Sequence, residues 1–287
     1  MRADASQMQL WIGREERVDV LVDALSVERM AALLDRTTAP RNGDALPALW
    51  HWMYLATPPR ARDVGPDGHP ATSALLPSVP MPRRMWAGSR VRFLGPVRVG
   101  ERYRRVSTVR DLQSKAGKSG ALVFVTIRHV LADANGPLID EEQDIVYREA
   151  SPAEARPEAT EARDAAAPEF SRGFKADTLL LFRYSAVTFN AHRIHVDRAY
   201  ATREEGYPGL VVHAPLVATL LLELLREQRS GARIDEVQVR ARAPLVDQEP
   251  ITLCGRLDRH EAKLWARAPG RERALTVDVT LGRDVHA

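Results

Sequence analysis

The 287-residue chain contains a single cysteine, Cys254. No intrachain disulfide can form, and Cys254 lies in an apolar strand-like stretch that suits a small core residue better than a nucleophile. No apolar run approaches the roughly 20 residues that a membrane-spanning helix needs. The opening MRADASQMQLWIGREER lacks the apolar core of a secretory signal. A cytoplasmic location without a membrane partner is therefore expected. Glycine-rich phosphate loops of the GxGxxG or GxxxxGK type are absent, which argues against nucleotide-dependent transfer. His192 and His195 are three residues apart, but no CxxC pair or third ligand accompanies them. No metal and no cofactor are expected. The excess of positive charge is small, 41 Lys and Arg against 38 Asp and Glu, and it is spread along the chain. Nucleic-acid binding needs a clustered basic face, so none is expected. A diffuse excess suits an anionic small molecule, or solubility alone.

What is present suffices for a folded protein: 45% hydrophobic residues and a length that accommodates one large or two ordinary domains. Ser26 as N-cap and the spacing of Val27, Met30, Ala31, Leu33 and Leu34 predict a helix ending near Arg36. Residues 46–55 (LPALWHWMYL) are apolar and aromatic. Prolines and glycines crowd residues 58–82, which read as a long loop, part of it a lid. From residue 85 the pattern turns to strands. Long ones are predicted at 103–112 and 122–131, joined by a loop at 114–120. After a turn at Asn135-Gly136-Pro137 a strand at 143–147 closes an antiparallel meander. Residues 150–169 carry no large apolar side chain, and Pro152, Pro157 and Pro168 oppose a continuous helix. They read as a linker between domains at 1–149 and 170–287.

The second half is organised around residues 184–225. An apolar run at 178–184, read as a strand, leads into a polar patch of Asn190, His192, Arg193, His195 and Asp197. The turn Gly206-Tyr207-Pro208-Gly209 follows. His213 then directly precedes a helix predicted at 215–229, with Pro215 in its first position. Its first three turns are apolar on nearly every side, so it is buried. Strands at 236–243, 252–257, 263–268 and 275–281 complete the chain. Imidazoles, an amide and a helix N-terminus within one short unit suit the polarising of a carbonyl and the movement of a proton.

The phrases TFNAHRIHVD, EGYPGLVVHAP, PRRMWAGSRV and EEQDIVYRE carry a resemblance that spans about residues 50–281. The chain resembles the MaoC-like, R-specific enoyl-CoA hydratases of hotdog fold. More closely it resembles their two-domain branch, the type 2 hydroxyacyl-thioester dehydratases and the itaconyl-CoA and mesaconyl-CoA hydratases. The resemblance implies an α+β double hotdog, two antiparallel sheets wrapped on a central helix, with the N-terminal helix degenerate or replaced by the 58–82 region. The sheets are expected to join edge to edge, because each open sheet leaves an unpaired edge strand. The implied activity is that of a cofactor-independent hydro-lyase, hydrating and dehydrating a short-chain acyl-CoA thioester reversibly, with itaconyl-CoA or mesaconyl-CoA favoured. A homodimer is the expected assembly.

In that family a carboxylate and a histidine five residues later hold the water. The matching positions are Asn190 and His195. Asn190 departs from the aspartate of the MaoC pattern, and an amide cannot act as a base. The base role falls to His195, or to His192. Arg193 is a candidate substrate contact, or fixes the turn through an ion pair with Asp197. Tyr207 and Gly209 shape the pocket mouth, or form a turn and no more. His213 enters the helix by bonding the backbone, or touches substrate. The backbone N–H of Ala214 is a candidate donor to the thioester oxygen. Trp86 is expected to wall an acyl tunnel. Arg83 and Arg84 face a substrate carboxylate, a CoA phosphate or solvent. Three other readings stay open: dehydration of fatty 3-hydroxyacyl thioesters, thioester hydrolysis (which NAHRIH argues against), and a non-catalytic acyl-CoA-binding hotdog subunit, which Asn190 keeps alive.

Overall fold

The computed structural model describes residues 9–77, 79, 81–117, 120–149 and 167–282. Residues 150–166, most of the expected linker, lie outside the described residues. Among the described residues ten strands form one antiparallel sheet. The first half contributes β1 (Glu15–Leu21), β2 (Arg83–Phe93), β3 (Arg102–Gly117), β4 (Gly120–Asp133) and β5 (Gly136–Arg148). The second contributes β6 (Phe170–Phe174), β7 (Ile234–Ala241), β8 (Ile251–Leu257), β9 (Glu261–Ala268) and β10 (Arg271–Leu281). The order is β1-β3-β4-β5-β2-β7-β10-β9-β8-β6. Read from either end, the same five-strand arrangement appears. The halves meet at β2 and β7, with Val91 opposite Val237, so the two inner edges pair with each other.

Among the described residues three α-helices complete the fold: α1 (Ala24–Leu33), α2 (Thr178–Val187) and α3 (Ala214–Gln228). Helix α1 is capped by Asp23, whose carboxylate accepts from the Ser26 N–H at 2.8 Å. The predicted cap, Ser26, is thus inside the first turn, because Asp23 caps equally well three residues earlier. Helix α2 replaces the predicted strand at 178–184. A short apolar run does not reveal its period. Here the run is leucine-rich, and Asp177 caps it by accepting from the Leu180 N–H at 2.8 Å. Helix α3 packs on β8, β9 and β10 and is buried from Leu216 to Leu225. It starts at Ala214, so Pro215 takes the second position and His213 the cap. The expected loop at 114–120 is largely strand, since β3 runs to Gly117 and β4 starts at Gly120. Among the described residues no helix is long and apolar enough to cross a membrane.

Among the described residues the first half has no counterpart of α3. A 3-10 turn, Trp50–Tyr54, and Leu75, Leu76, Val79 and Met81 of the 55–82 loop pack against its core instead. Leu75 from this loop packs into an apolar cluster with Val109, Val125, Ile127, Ile145 and Tyr147. Beside it lies a buried polar group. Glu141, fully buried, accepts from Trp52 Nε1 at 2.8 Å, Gln143 Nε2 at 2.9 Å and the Ser89 hydroxyl, and meets His51 Nε2 at 2.7 Å.

Strand β2 contains a bulge. Trp86 pairs with Ile145, but Gly88 pairs with Asp144, so Ala87 is the extra residue. Beyond it Ser89 and Val91 are buried. Before it Arg84 and Trp86 lie opposite the buried Tyr147 and Ile145, while Met85 is exposed. Gly88 allows the seam to close, since a Cβ there would stand 2.3 Å from the Val239 carbonyl oxygen.

Candidate active site

A cavity of about 1720 Å³ opens where the signature segment, the 55–82 loop and the start of β2 converge. Asn190, His192, His195, Tyr207, His213, Ala214, Arg83, Arg84 and Trp86 all line it. Arg193 and Gly209 do not. Arg193 donates to Asp197 Oδ2 at 2.6 and 3.0 Å and to the Pro66 carbonyl at 2.8 Å, which ties the signature to the loop. Of its two expected roles, the ion pair with Asp197 is the one present. A Cβ on Gly209 would stand 2.7 Å from Asp247 Oδ1, so this glycine serves close packing behind the wall.

The signature leaves α2 through Thr188 and Phe189. Phe189 adopts a positive φ of 51°, unusual for a bulky residue, and this turns the chain inward at Asn190. Asn190 Oδ1 accepts from the His192 N–H at 3.1 Å, which fixes the amide. A 3-10 turn, Arg193–His195, then presents the imidazole of His195. Its Nδ1 lies 2.7 Å from the Val211 carbonyl oxygen. A carbonyl can only accept, so Nδ1 carries the hydrogen and Nε2 keeps its lone pair. Burial pushes His195 down to about 4, outweighing the bond to Val211, so the ring is neutral near pH 7.

His213 stacks on His195, with ring centroids 3.6 Å apart. Its Nε2 meets the Ser185 hydroxyl on α2 at 2.9 Å, not the backbone, while Nδ1 is buried without a partner among the described residues. Burial, reinforced by His195 and His192, holds His213 well below the usual imidazole range. The Ala214 N–H, at the first turn of α3, has no intrahelical acceptor, and Ala214 lines the cavity.

The two arginines of the PRR phrase differ. Arg83 pairs with Glu205 at 3.4 Å, and both side chains are largely buried. Arg84 has no hydrogen bond or ion pair among the described residues, and its guanidinium lies 5.9 Å from the Tyr147 ring. Burial is the main cause that lowers His69 and His192, and the Arg84 charge adds to it in both. Arg148, another cavity residue, has a buried Nε without a partner among the described residues.

Sequence reasoning missed two groups here. Asp67 and His69 come from the loop read as a lid. His69 Nδ1 lies 3.0 Å from Asp67 Oδ2, and the His69 ring centroid is 4.3 Å from that of His192. The Arg193 N–H donates to the Asp67 carbonyl at 2.8 Å. Gly68, at φ +92°, presses so closely on Ala191 that a Cβ would meet its carbonyl oxygen at 1.8 Å. Burial raises Asp67, but hydrogen bonds from the His69 side chain and backbone hold it well below the usual range. The donor atoms of Asp67, His69 and His192 fall within 4.8 Å of one another, a spacing a divalent ion also accepts. His69 Nδ1 is committed to Asp67, which makes the pair a hydrogen-bonded carboxylate–imidazole dyad. The only advance signal was Asp-Gly-His in a proline-rich loop.

The sheet and its buried helix are those of the hotdog dehydratases. A MaoC-like dehydratase from Phytophthora capsici has the same fold, with a TM-score of 0.72 and 15% identity over 99% of this chain and all of that one. The hydroxyacyl-thioester dehydratase type 2 family matches residues 49–247. The mesaconyl-C(4)-CoA hydratase of Chloroflexus aurantiacus is 43% identical over 276 residues, 95% of this chain and 97% of that protein. The mitochondrial hydroxyacyl-thioester dehydratase type 2 of Schizosaccharomyces pombe is 26% identical, covering 71% of this chain and 76% of its own. The chain belongs to the hydroxyacyl-thioester dehydratase type 2 family and is a hydro-lyase.

Proposed function

We propose that this protein adds water reversibly to a short acyl-CoA thioester that bears a free carboxylate, with mesaconyl-C(4)-CoA as the substrate to test first. The observation that carries the acyl group is Arg84. It is a guanidinium in the cavity wall without an anionic partner among the described residues, beside the imidazoles, whereas Arg83 is taken by Glu205. Planar guanidinium geometry suits a carboxylate. The 43% identity to a mesaconyl-C(4)-CoA hydratase supports the same reading.

In this reading His195 Nε2 takes a proton from water as the water oxygen attacks C3, and Asn190 orients that water. The thioester oxygen gains enolate charge and accepts from the Ala214 N–H at the start of α3, a donor that needs no reorganisation. His192 and Tyr207 wall the acyl end, His213 supports His195 by stacking, and Trp86 faces the acyl chain. The domains are taken as 1–149 and 170–287, the first supplying the wall and lid, and the assembly as a homodimer that sedimentation will test.

The decisive assay follows loss of enoyl-thioester absorbance with mesaconyl-C(4)-, itaconyl- and crotonyl-CoA. Turnover of the carboxylated substrates well above crotonyl-CoA is expected. Preference for crotonyl-CoA or longer chains would favour a second reading, dehydration of fatty 3-hydroxyacyl thioesters. Leu75, Leu76, Val79 and Met81 in the same cavity wall favour that reading. No turnover at all would leave a non-catalytic acyl-CoA-binding subunit.

A further inference from the structure

Addition of water across a double bond needs two proton transfers, one at the attacking water and one at the carbon next to the thioester. His195, neutral and with its lone pair on Nε2, suits the first. Asn190, the position that holds a carboxylate in the MaoC pattern, cannot accept or release a proton. The cavity supplies a substitute from the other half of the chain.

We propose that His69, oriented by Asp67, is a second proton-transfer residue of the hydration reaction, delivering a proton to the carbon next to the thioester while His195 takes one from the water. The inference rests on the reading of the site as a hydratase of carboxylated acyl-CoA. Asp67 Oδ2 accepts from His69 Nδ1 at 3.0 Å, and Asp67 Oδ1 accepts from the His69 backbone N–H at 3.0 Å. The imidazole is therefore held in one orientation, and Nε2 has no hydrogen-bond partner among the described residues. The loop itself is held by the Arg193 bonds to Pro66 and Asp67 and by the contact of Gly68 with Ala191. His69 and His195 line the same cavity, with His192 touching both rings at centroid distances of 4.3 and 5.5 Å.

The proton count closes. The water oxygen bonds to C3, and its O–H proton passes to His195 Nε2. The C2–C3 π pair moves onto C2 and the thioester as an enolate. The enolate carbon takes the Nε2 proton of the His69 imidazolium, whose charge Asp67 balances. After product leaves, His195 releases its proton to solvent and His69 takes one up. Burial and the Arg84 charge oppose the imidazolium, while Asp67 favours it. An acyl carboxylate seated on Arg84 offsets the Arg84 part of that opposition, so a carboxylated substrate favours the acid form of His69.

Exchange of the C2 hydrogen of the 3-hydroxyacyl-CoA product in deuterium oxide tests this on the full chain. His195→Gln should stop water loss but keep C2 exchange within a few-fold of wild type. His69→Gln should lose both by about a hundredfold, the usual weight of acid–base catalysis, with KM within threefold and an unchanged melting temperature. Asp67→Asn should lower both about tenfold, and it serves as the test if His69→Gln does not fold. C2 exchange at the wild-type rate in His69→Gln or in Asp67→Asn overturns the proposal. So does activity that a chelator removes and zinc restores, which would make the cluster a metal site. If wild type prefers crotonyl-CoA, the substrate reading fails. The same exchange is then read on 3-hydroxybutyryl-CoA, where loss in His69→Gln still upholds the dyad.

Discussion

The two halves share one strand order but fill their concave sides differently. Under β6–β10 lies α3, whose leucines make a dry core. Under β1–β5 there is a 3-10 turn, a loop, and buried polar residues: Glu141, His51, His129 and Arg105. Arg105, 1% exposed, reaches the carbonyls of Tyr54 and Leu55, the Thr57 hydroxyl and Glu16. It thereby fastens the segment that stands where the second half has its helix. The difference shows how a helix can be dispensed with. Hydrogen bonds to side chains hold irregular backbone against the sheet, and the loop so held is free to carry chemistry and to line a cavity.

The sharpest way to break this comparison is to remove its polar anchor. Glu141→Ala should cost about 3–5 kcal/mol of stability, as expected when one member of a buried charged network is deleted. Denaturant unfolding measures it, and a cost under 1 kcal/mol would mean that the network merely fills space. The matching test in the second half is Leu221→Ala, at a fully buried position of α3. It should cost about 2–5 kcal/mol by leaving a cavity. Next in size is chemistry: His195→Ala should lower kcat by about a hundredfold or more, while Asn190→Asp should keep or raise it. Arg84→Ala should lower kcat/KM on mesaconyl-C(4)-CoA by roughly 10- to 100-fold, the weight of a hydrogen bond to a charged group, and leave crotonyl-CoA within threefold. Equal losses on both would place Arg84 on CoA instead.

The smallest effect is in the pH dependence of melting. Burial lowers His195, and also His129 in the first half, to about 4. A histidine lowered in the folded state keeps its stability contribution above its unfolded value near 6.5 and loses it as pH falls through about 4. Glu141, raised by burial but held at about 2 chiefly by His51, loses its contribution only between about 4.5 and 2. Acid should therefore weaken the protein first between pH 6.5 and 4. His195→Gln should flatten that region by up to one proton, about 1.4 kcal/mol per pH unit. An unchanged slope would show that His195 is already protonated when folded.

The second half was more legible than the first, for a physical reason. Asn190, His195 and Ala214 sit within 25 residues of one another, so one turn and one helix start bring them together. The apolar surround of residues 216–225 admits only burial. The run at 178–184 was misread because burial on several sides erases the periodicity that separates strand from helix. Asp67 and His69 were invisible as chemistry because their partners are more than 120 residues away, across a loop whose composition signals only turns. The distinction between Arg83 and Arg84 was equally out of reach, since it depends on which one Glu205 occupies.

The extra residue at Ala87 has a hereditary consequence. On β5 the odd-numbered residues Glu141, Ile145 and Tyr147 all face inward, whereas on β2 the inward set changes from odd at Ser89 and Val91 to even at Trp86 and Arg84. Deleting one codon at Ala87 would restore simple alternation and leave Arg84 and Trp86 facing inward, still opposite Tyr147 and Ile145. The bulge thus lets this strand gain or lose one residue while the groups that line the cavity beside the signature keep their facing.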